Sequence, residues 1–318
     1  MQADVLIRSG ELLNRVRENV SQVIIGKEQS TNLLLTALLA RGHILVEDVP
    51  GIGKTTLVSS LAKSLGLSFG RIQFTPDVMP SEITGYSIYN QQQGSFEFRT
   101  GMIMHQIILA DEINRASPKT QSALLEVMQE RQVSVEGYTL RLPEPFMILA
   151  TQNAIEHSGT FPLPEAQLDR FMLKIHLGYP TIEDEVRIYK THSTASPLND
   201  LEAVISEEDV LWLQGLCTGV YISESLERYI ASLADLSRRH PSLRLGVSPR
   251  ASLMLVQACR AWALIAGRDF VIPDDILDLI EPVWAHRLIL SSSGNLQNLS
   301  ASAVLHDLFA SIPVPVTA

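Results

Sequence analysis

Residues 43–65, "HILVEDVPGIGKTTLVSSLAKSL", constrain the fold more than any other stretch of the chain. "HILVE" is an apolar run of strand length, "TTLVSSLAKSL" has a helical pattern, and Gly51 and Gly53 lie in the turn between them. A buried strand that feeds directly into a helix is half of a strand–helix–strand unit, so it calls for a parallel sheet with helices on its faces. The rest of the first half agrees. Apolar runs of strand length recur at 71–75, 106–110, 146–150 and 171–177, and helix-like segments fall at 54–65, 118–130 and 164–170. Ser117 is a helix cap and Pro118 suits a first helical position. Residues 9–41 read as two further helices, broken at "IIGKEQS".

Two segments interrupt the alternation. "YSIYNQQQGSFEFR" (86–99) and "RQVSVEGYTLRL" (131–142) each place β-type residues on both sides of a glycine-containing turn, and read as hairpins inserted into the α/β core. After residue 180 the strand signal fades, and 181–193, 206–217, 223–239, 249–266 and 273–288 carry helical periodicity. The expected organisation is an α/β core over 1–180, with N-terminal helices, and an all-helical domain over 181–318. No internal repeat or low-complexity tract stands out.

A net charge of -10 over 318 residues argues against bulk binding to a nucleic-acid backbone or an anionic membrane. The opening segment is amphipathic and charged, unlike a secretory leader. The most apolar stretch, 251–267, contains Gln257 and Arg260 and is too short and polar to span a bilayer. A cytoplasmic location is expected. Cys217 and Cys259 have no metal-ligand spacing and read as buried small apolar residues.

The turn at 48–55 nearly matches a phosphate-binding loop, whose template is Gly, four residues, then Gly-Lys-Ser/Thr. Gly53, Lys54 and Thr55 match, but Asp48 stands where the first glycine belongs. Backbone N–H groups in such a loop turn inward around phosphate, which favours glycine at positive φ. Aspartate is among the residues least penalised there, so a left-handed Asp48 in a working loop is the expectation. Asp48, Val49, Pro50, Gly51, Ile52, Gly53, Lys54, Thr55 and Thr56 are the candidate nucleotide-binding residues. Lys54 faces β and γ oxygens, and the Thr55 hydroxyl is a candidate Mg²⁺ ligand. A second signature, "IILADEINR" (107–115), ends an apolar strand in two carboxylates. Adjacent carboxylates there are costly unless they serve a cation or a water. Asp111 suits Mg²⁺ and Glu112 suits the attacking water.

With "RIQFTPDVMPSEITG", "IILADEINRASPKTQSALLEVMQERQVSVEG", "ILATQNAIEHSGTFPLPEAQLDRF" and "VSPRASLMLVQAC", the loop makes the chain resemble the MoxR family of AAA+ ATPases from about residue 42 to 258. The form "EDVPG-GKT" is common in that family, so Asp48 looks like a family variant. The resemblance implies an AAA+ core with a five-stranded parallel sheet and a helical lid. It implies Asn153 as sensor 1, Arg170 in "EAQLDRF" as an arginine finger acting on a neighbouring subunit, and Arg250 in "VSPR" as sensor 2 acting within its own subunit. Ser248 and Pro249 start a helix, which puts Arg250 in a first turn. The hairpins resemble the inserts of this branch, which often contact substrate or line a ring pore. Tyr86, Tyr89, Phe96 and Phe98 fit that role or simple packing of the hairpin. Arg115 and Lys119 fit a surface role as well as a subunit contact. Ala154 and Met102 depart from prolines frequent in the family.

The resulting expectation is Mg²⁺-dependent ATP hydrolysis that drives chaperone-like maturation or remodelling of protein complexes. A trans arginine requires a closing interface, hence a homo-oligomeric ring, expected to be hexameric. Partners with a von Willebrand factor A domain are typical of the family. Two alternatives stand beside this reading. A nucleic-acid remodeller predicts basic hairpin tips, whereas the tip here is the neutral "NQQQG". A nucleotide-switched scaffold predicts loss of Glu112, Asn153 or Arg170, all of which are present.

Overall fold

The computed structural model describes residues 1–135, 137–153, 159–192 and 197–315. Glu136 in the second hairpin turn and Ala154 beyond Asn153 lie outside the described residues. In chain order the strands are β1 (Ile44–Glu47), β2 (Phe69–Gln73), β3 (Gly85–Asn90), β4 (Ser95–Thr100), β5 (Ile107–Asp111), β6 (Gln132–Val135), β7 (Tyr138–Arg141), β8 (Met147–Gln152), β9 (Leu173–Ile175), β10 (Leu243–Leu245) and β11 (Ile289–Leu290). The core helices are α1 (Ala3–Ser21), α2 (Glu28–Leu39), α3 (Lys54–Ser64), α4 (Pro80–Thr84), α5 (Pro118–Glu130) and α6 (Glu165–Leu168). Beyond them come α7 (Ile182–His192), α8 (Pro197–Asp200), α9 (Glu207–Thr218), α10 (Glu224–Arg239), α11 (Pro249–Ile265), α12 (Pro273–Trp284), α13 (Ser292–Leu296) and α14 (Ala301–Ser311).

The central sheet has five parallel strands in the order β2-β5-β8-β1-β9. Its strands alternate their side chains between two apolar layers, as period-two geometry requires. Ile44, Val46, Ile107 and Leu109 join one layer with α1, α2 and α3, while Leu45, Ile108, Ala110 and Ile148 join the other with α5. The first layer does not stop at the sheet. Leu34 and Leu38 of α2 share it with Leu213, Leu255 and Leu264 of the C-terminal helices. The Gln214 side-chain amide donates to the Leu38 carbonyl across that contact at 2.7 Å.

Both hairpins form as expected: β3 pairs with β4 and β6 with β7, each antiparallel. A β-carbon at Gly101, at the root of the first hairpin, would collide with the Ile83 carbonyl, so the chain turns there only as glycine. Among the described residues the C-terminal region is helical apart from a two-stranded ribbon of β10 and β11 and a single bridge between Tyr221 and Phe270. Expected strand 71–75 sits two residues earlier because its ladder follows β5, which ends at Asp111 beside Gln73. Expected strand 171–177 shortens to β9, since the Phe171 and Met172 carbonyls accept from Arg287 and the Leu177 N–H is taken by Asp48. Cys217 and Cys259 are buried thiols, and burial pushes Cys217 up to about 12.

Candidate ATP site

β1 delivers its C-terminal end to the loop that opens α3. Gly51 and Gly53 adopt φ of 84° and 85°, with Gly53 as the N-cap of α3. A left-handed pair ahead of a helix turns successive N–H groups toward one point, where the helix dipole adds partial positive charge. Apart from chain neighbours, no atom lies within 4 Å of a β-carbon built at either glycine, so positive φ rather than crowding is what favours glycine at both positions.

Asp48 does not adopt the expected conformation. The non-glycine residues at positive φ among those described are Arg41, Glu112, Arg131 and Asn298. Asp48 instead uses its carboxylate, accepting from the N–H groups of Leu177 and Gly178. Lys27 holds the same turn from the other side: its ammonium donates to the carbonyls of Leu177, Gly178 and Tyr179 at 2.7, 3.1 and 3.1 Å. Leu177 and Tyr179, with Ile24, Ile52, Gly53 and Ile188, line a cavity of about 400 Å³ beside the loop. That largely apolar slot has the character of a base pocket, and the "IIGKEQS" break contributes Ile24 and Lys27 to its construction.

On the other side of the loop lies a polar cavity of about 330 Å³. Lys54, Thr55, Thr56, Asp111, Glu112 and Asn153 all line it, from three separate segments. The Lys54 ammonium donates to the loop's own carbonyls, Asp48 at 3.3 Å and Val49 at 3.1 Å. Thr151, one strand away on β8, sets the two carboxylates. Its hydroxyl donates to Asp111 Oδ1 at 2.6 Å and accepts from the Glu112 N–H at 2.9 Å. Glu112 is itself left-handed, with φ 59°. Strained backbone of this kind persists where surrounding structure over-determines it, commonly at functional sites.

Arg71 and Gln73 of β2 were not foreseen as site residues. Arg71 donates to Asp111 Oδ2 at 2.7 Å, and Gln73 donates to Glu112 Oε2 at 3.1 Å. Arg115 also pairs with Glu112, at 3.2 Å. The available signal was the polar alternation of Arg71 and Gln73 in an otherwise apolar strand; the β2–β5 pairing is what makes them neighbours of the acidic pair.

Arg170 and Arg250 are brought together, but not here. Both line a separate cavity of about 140 Å³ with Arg41, Gly42, His43 and Met172, which precede or open β1 and β9. This is the N-terminal edge of the parallel sheet, whereas the phosphate loop lies at the C-terminal edge. Arg250 therefore does not lie beside its own subunit's phosphate loop, where the implied sensor 2 role would put it. The reason lies in how α11 is anchored. Asp169, beside Arg170, accepts from Ser248, the N-cap of α11, at 3.4 Å and from Arg287 at 2.8 Å. These bonds hold the start of α11, and Arg250 with it, against the entry to β9.

Of the hairpin aromatics, Tyr86, Tyr89 and Phe96 are exposed and Phe98 is half-buried. Tyr89 and Phe96 pack edge to face at 5.3 Å yet remain 53% and 64% exposed, so packing and accessibility coexist. Phe98 meets Tyr138 of the second hairpin at 5.7 Å.

A family model for the ATPase family associated with various cellular activities (AAA) matches residues 43–173, and one for the AAA lid domain matches residues 235–308. Fold and site together define an AAA+ ATPase with a helical lid. Full-length relatives narrow this. The chain is 40% identical to the chaperone MoxR1 of Mycobacterium tuberculosis, over 98% of this chain and 85% of that one. It is 34% identical to protein MoxR of Paracoccus denitrificans, over 92% and 93%, and 48% identical to the uncharacterized protein YeaC of Bacillus subtilis, over 96% and 95%. A crystal structure from Cytophaga hutchinsonii, described as a candidate ATPase, superposes with a TM-score of 0.92 at 38% identity, covering 98% of both chains. The chain belongs to the MoxR family of AAA+ ATPases.

Proposed function

We propose that this protein hydrolyses ATP in a homo-oligomeric ring, a hexamer, and uses the cycle for chaperone-like remodelling or maturation of protein complexes. One observation carries the chemistry: Lys54, Thr55, Asp111, Glu112 and Asn153, from separate segments, surround one cavity at the C-terminal edge of a parallel sheet. That edge is where open α/β sheets bind ligands.

The cavity suits a triphosphate, with left-handed glycines, a helix N-terminus and one lysine around it. Its hard oxygen donors, the Thr55 hydroxyl and the Asp111 carboxylate, suit Mg²⁺, which when bound neutralises charge developing on the phosphates. Asp111 already accepts from Thr151 and Arg71, an arrangement that fits holding a cation through water. Lys54 swings from its own carbonyls to substrate oxygens. Glu112 polarises the attacking water, and Gln73 and Arg115 orient its carboxylate. Asn153 positions that water without competing for its proton. Arg170, at the far edge of the sheet, acts on the neighbouring subunit's phosphate, and Arg250 beside it acts in the same direction. Closing of the lid region, beginning near residue 181, converts hydrolysis into motion.

The name of the 40% identical relative supports the chaperone component. A partner with a von Willebrand factor A domain follows from the family resemblance. A cytoplasmic location belongs to the same reading, because turnover requires an ATP pool. The test is a pair of variants. Lys54→Ala should weaken ATP binding at least about tenfold, and Glu112→Gln should bind ATP but lose nearly all turnover. Wild-type hydrolysis by Glu112→Gln would remove Glu112 from the chemistry.

A further inference from the structure

The cavity that holds Arg170 and Arg250 contains two more arginines, Arg41 and Arg131. Four arginines thus line a space of about 140 Å³, and none of the four forms an ion pair among the described residues. Asp169, the carboxylate next to Arg170 in sequence, is engaged by Arg287 and Ser248. Glu144 draws on Arg131 only at longer range, without a direct pair. Like charges gathered without counter-charge repel, and an anion relieves that repulsion. Arg250 adds direction, since it occupies the first turn of α11, a helix of 17 residues whose N-terminus favours negative charge.

The backbone supplies an independent observation. Arg41 and Arg131 have φ of 56° and 52°, two of the four non-glycine residues at positive φ among those described. Each follows a helix, α2 or α5, at a position where glycine or asparagine is the unstrained choice. Arg131 then donates to the Arg41 carbonyl at 2.8 Å, so the two strained turns brace each other. That bond gives the Arg131 side chain a local role, but the Arg41 side chain forms no hydrogen bond or ion pair among the described residues, and glycine would satisfy its turn better. A use for the guanidinium accounts for an arginine there.

We propose that Arg41 and Arg131 complete, with Arg170 and Arg250, a receptor for the terminal phosphate of the nucleotide bound to the adjacent subunit. This rests on the ATPase ring proposed above. The site lies at the opposite sheet edge from the chain's own Lys54, so its anion comes from outside the subunit. Planar guanidinium forks match phosphate oxygens, and such contacts strengthen as charge develops during transfer. His43, on the cavity wall, is held to about 4, first by burial and then by Arg131 and Arg250, so it contributes no fifth charge at neutral pH.

The test uses Arg41→Gly, which relieves the left-handed strain and should fold with an unchanged or higher Tm, and Arg131→Gly, in which relief of strain offsets loss of the bond to the Arg41 carbonyl and Tm should stay within a few degrees. Each should bind ATP normally at its own loop and lose roughly tenfold or more of its turnover. Mixing either with Lys54→Ala protein should restore part of the lost activity, once subunit exchange is confirmed by energy transfer between labelled chains. Three results overturn the inference: variant turnover equal to the unmodified protein, loss of ATP binding at the variant's own loop, or no recovery despite exchange. A free anion is tested by titrating inorganic phosphate into single subunits of Lys54→Ala protein. Tight binding that is abolished by adding Arg131→Gly would assign the cavity to a soluble anion and overturn the neighbour assignment. If the unmodified protein has no turnover under any condition, the ATPase reading itself fails, an outcome distinct from all of these.

Discussion

At the scale of single residues, Asp48 shows how one position of a motif can serve a contact other than the one the motif suggests. The position looks like a substituted loop glycine, but its carboxylate works on the turn at 177–178, the wall of the apolar slot. Removing a charged acceptor from two N–H groups costs about 1.5–3 kcal/mol per bond at most, so Asp48→Ala should weaken ATP affinity about tenfold. Inorganic tripolyphosphate, which has no base, should bind nearly as before. A calorimetric titration that finds equal losses for both ligands would return Asp48 to the phosphate side. His43 carries a second residue-scale prediction. Its Nδ1 accepts from the Ile148 N–H at 3.0 Å, so Nε2 bears the proton and donates to the Met128 carbonyl at 3.1 Å. Burial lowers its pKa from 6.5 to about 4. The folded state therefore resists protonation that the unfolded chain accepts. The stability tied to this imidazole is complete above pH 6.5 and declines as pH falls toward 4, by about 3 kcal/mol in total. Burial also lowers His286, which acts in the same direction. Denaturant midpoints measured across this window should fall with acid, and less steeply in His43→Leu; an unchanged slope would exclude His43 as a source.

At the scale of elements, the site depends on two strand ends meeting in register. β5 ends in the acidic pair, β8 supplies Thr151, and one hydroxyl joins Asp111 to the Glu112 backbone. Thr151→Val keeps the shape and removes both bonds, so Glu112 should lose its orientation. Turnover should fall about tenfold while ATP affinity stays within about twofold, and Thr151→Ser should restore the rate. Full activity in the valine variant would mean that the strand ends alone set the carboxylates. Helices with strong caps were readable from residues: α5 runs from Pro118 to Glu130, with Ser117 accepting from the Thr120 N–H at 3.3 Å. The helices not foreseen, α4, α8, α13 and α14, are mostly short, and α14 is stabilised by the layer its Val304, Leu305 and Leu308 enter. Short helices have little propensity of their own and take their stability from packing.

At the scale of the whole molecule, the separation of two cavities governs how subunits would cooperate in the proposed ring. Phosphate-loop residues lie at one edge of the sheet, and Arg170 and Arg250 at the other. Mixing Arg250→Ala with Lys54→Ala protein distinguishes the two possible directions of Arg250. If it acts on the neighbour, intact loops of the first protein meet intact arginines of the second, and activity partly returns in a ratio-dependent way. If it acts within its own subunit, every site lacks either Lys54 or Arg250 and no mixture recovers. Recovery is the expected result, measured as phosphate release after subunit exchange has been verified.

Residue chemistry by itself determined the α/β class, the loop, the acidic pair and both hairpins, because periodicity, glycine positions and paired carboxylates are local properties of a chain. Asp48 was legible as a site residue but not as an anchor, since its partners lie 129 and 130 residues away. Arg71 joins the acidic pair only through strand order, and Arg250 leaves it only because Ser248 and Arg287 converge on Asp169. Those placements depend on contacts distant in sequence. Tertiary packing alone chooses among the surfaces that a polar side chain of given type can reach.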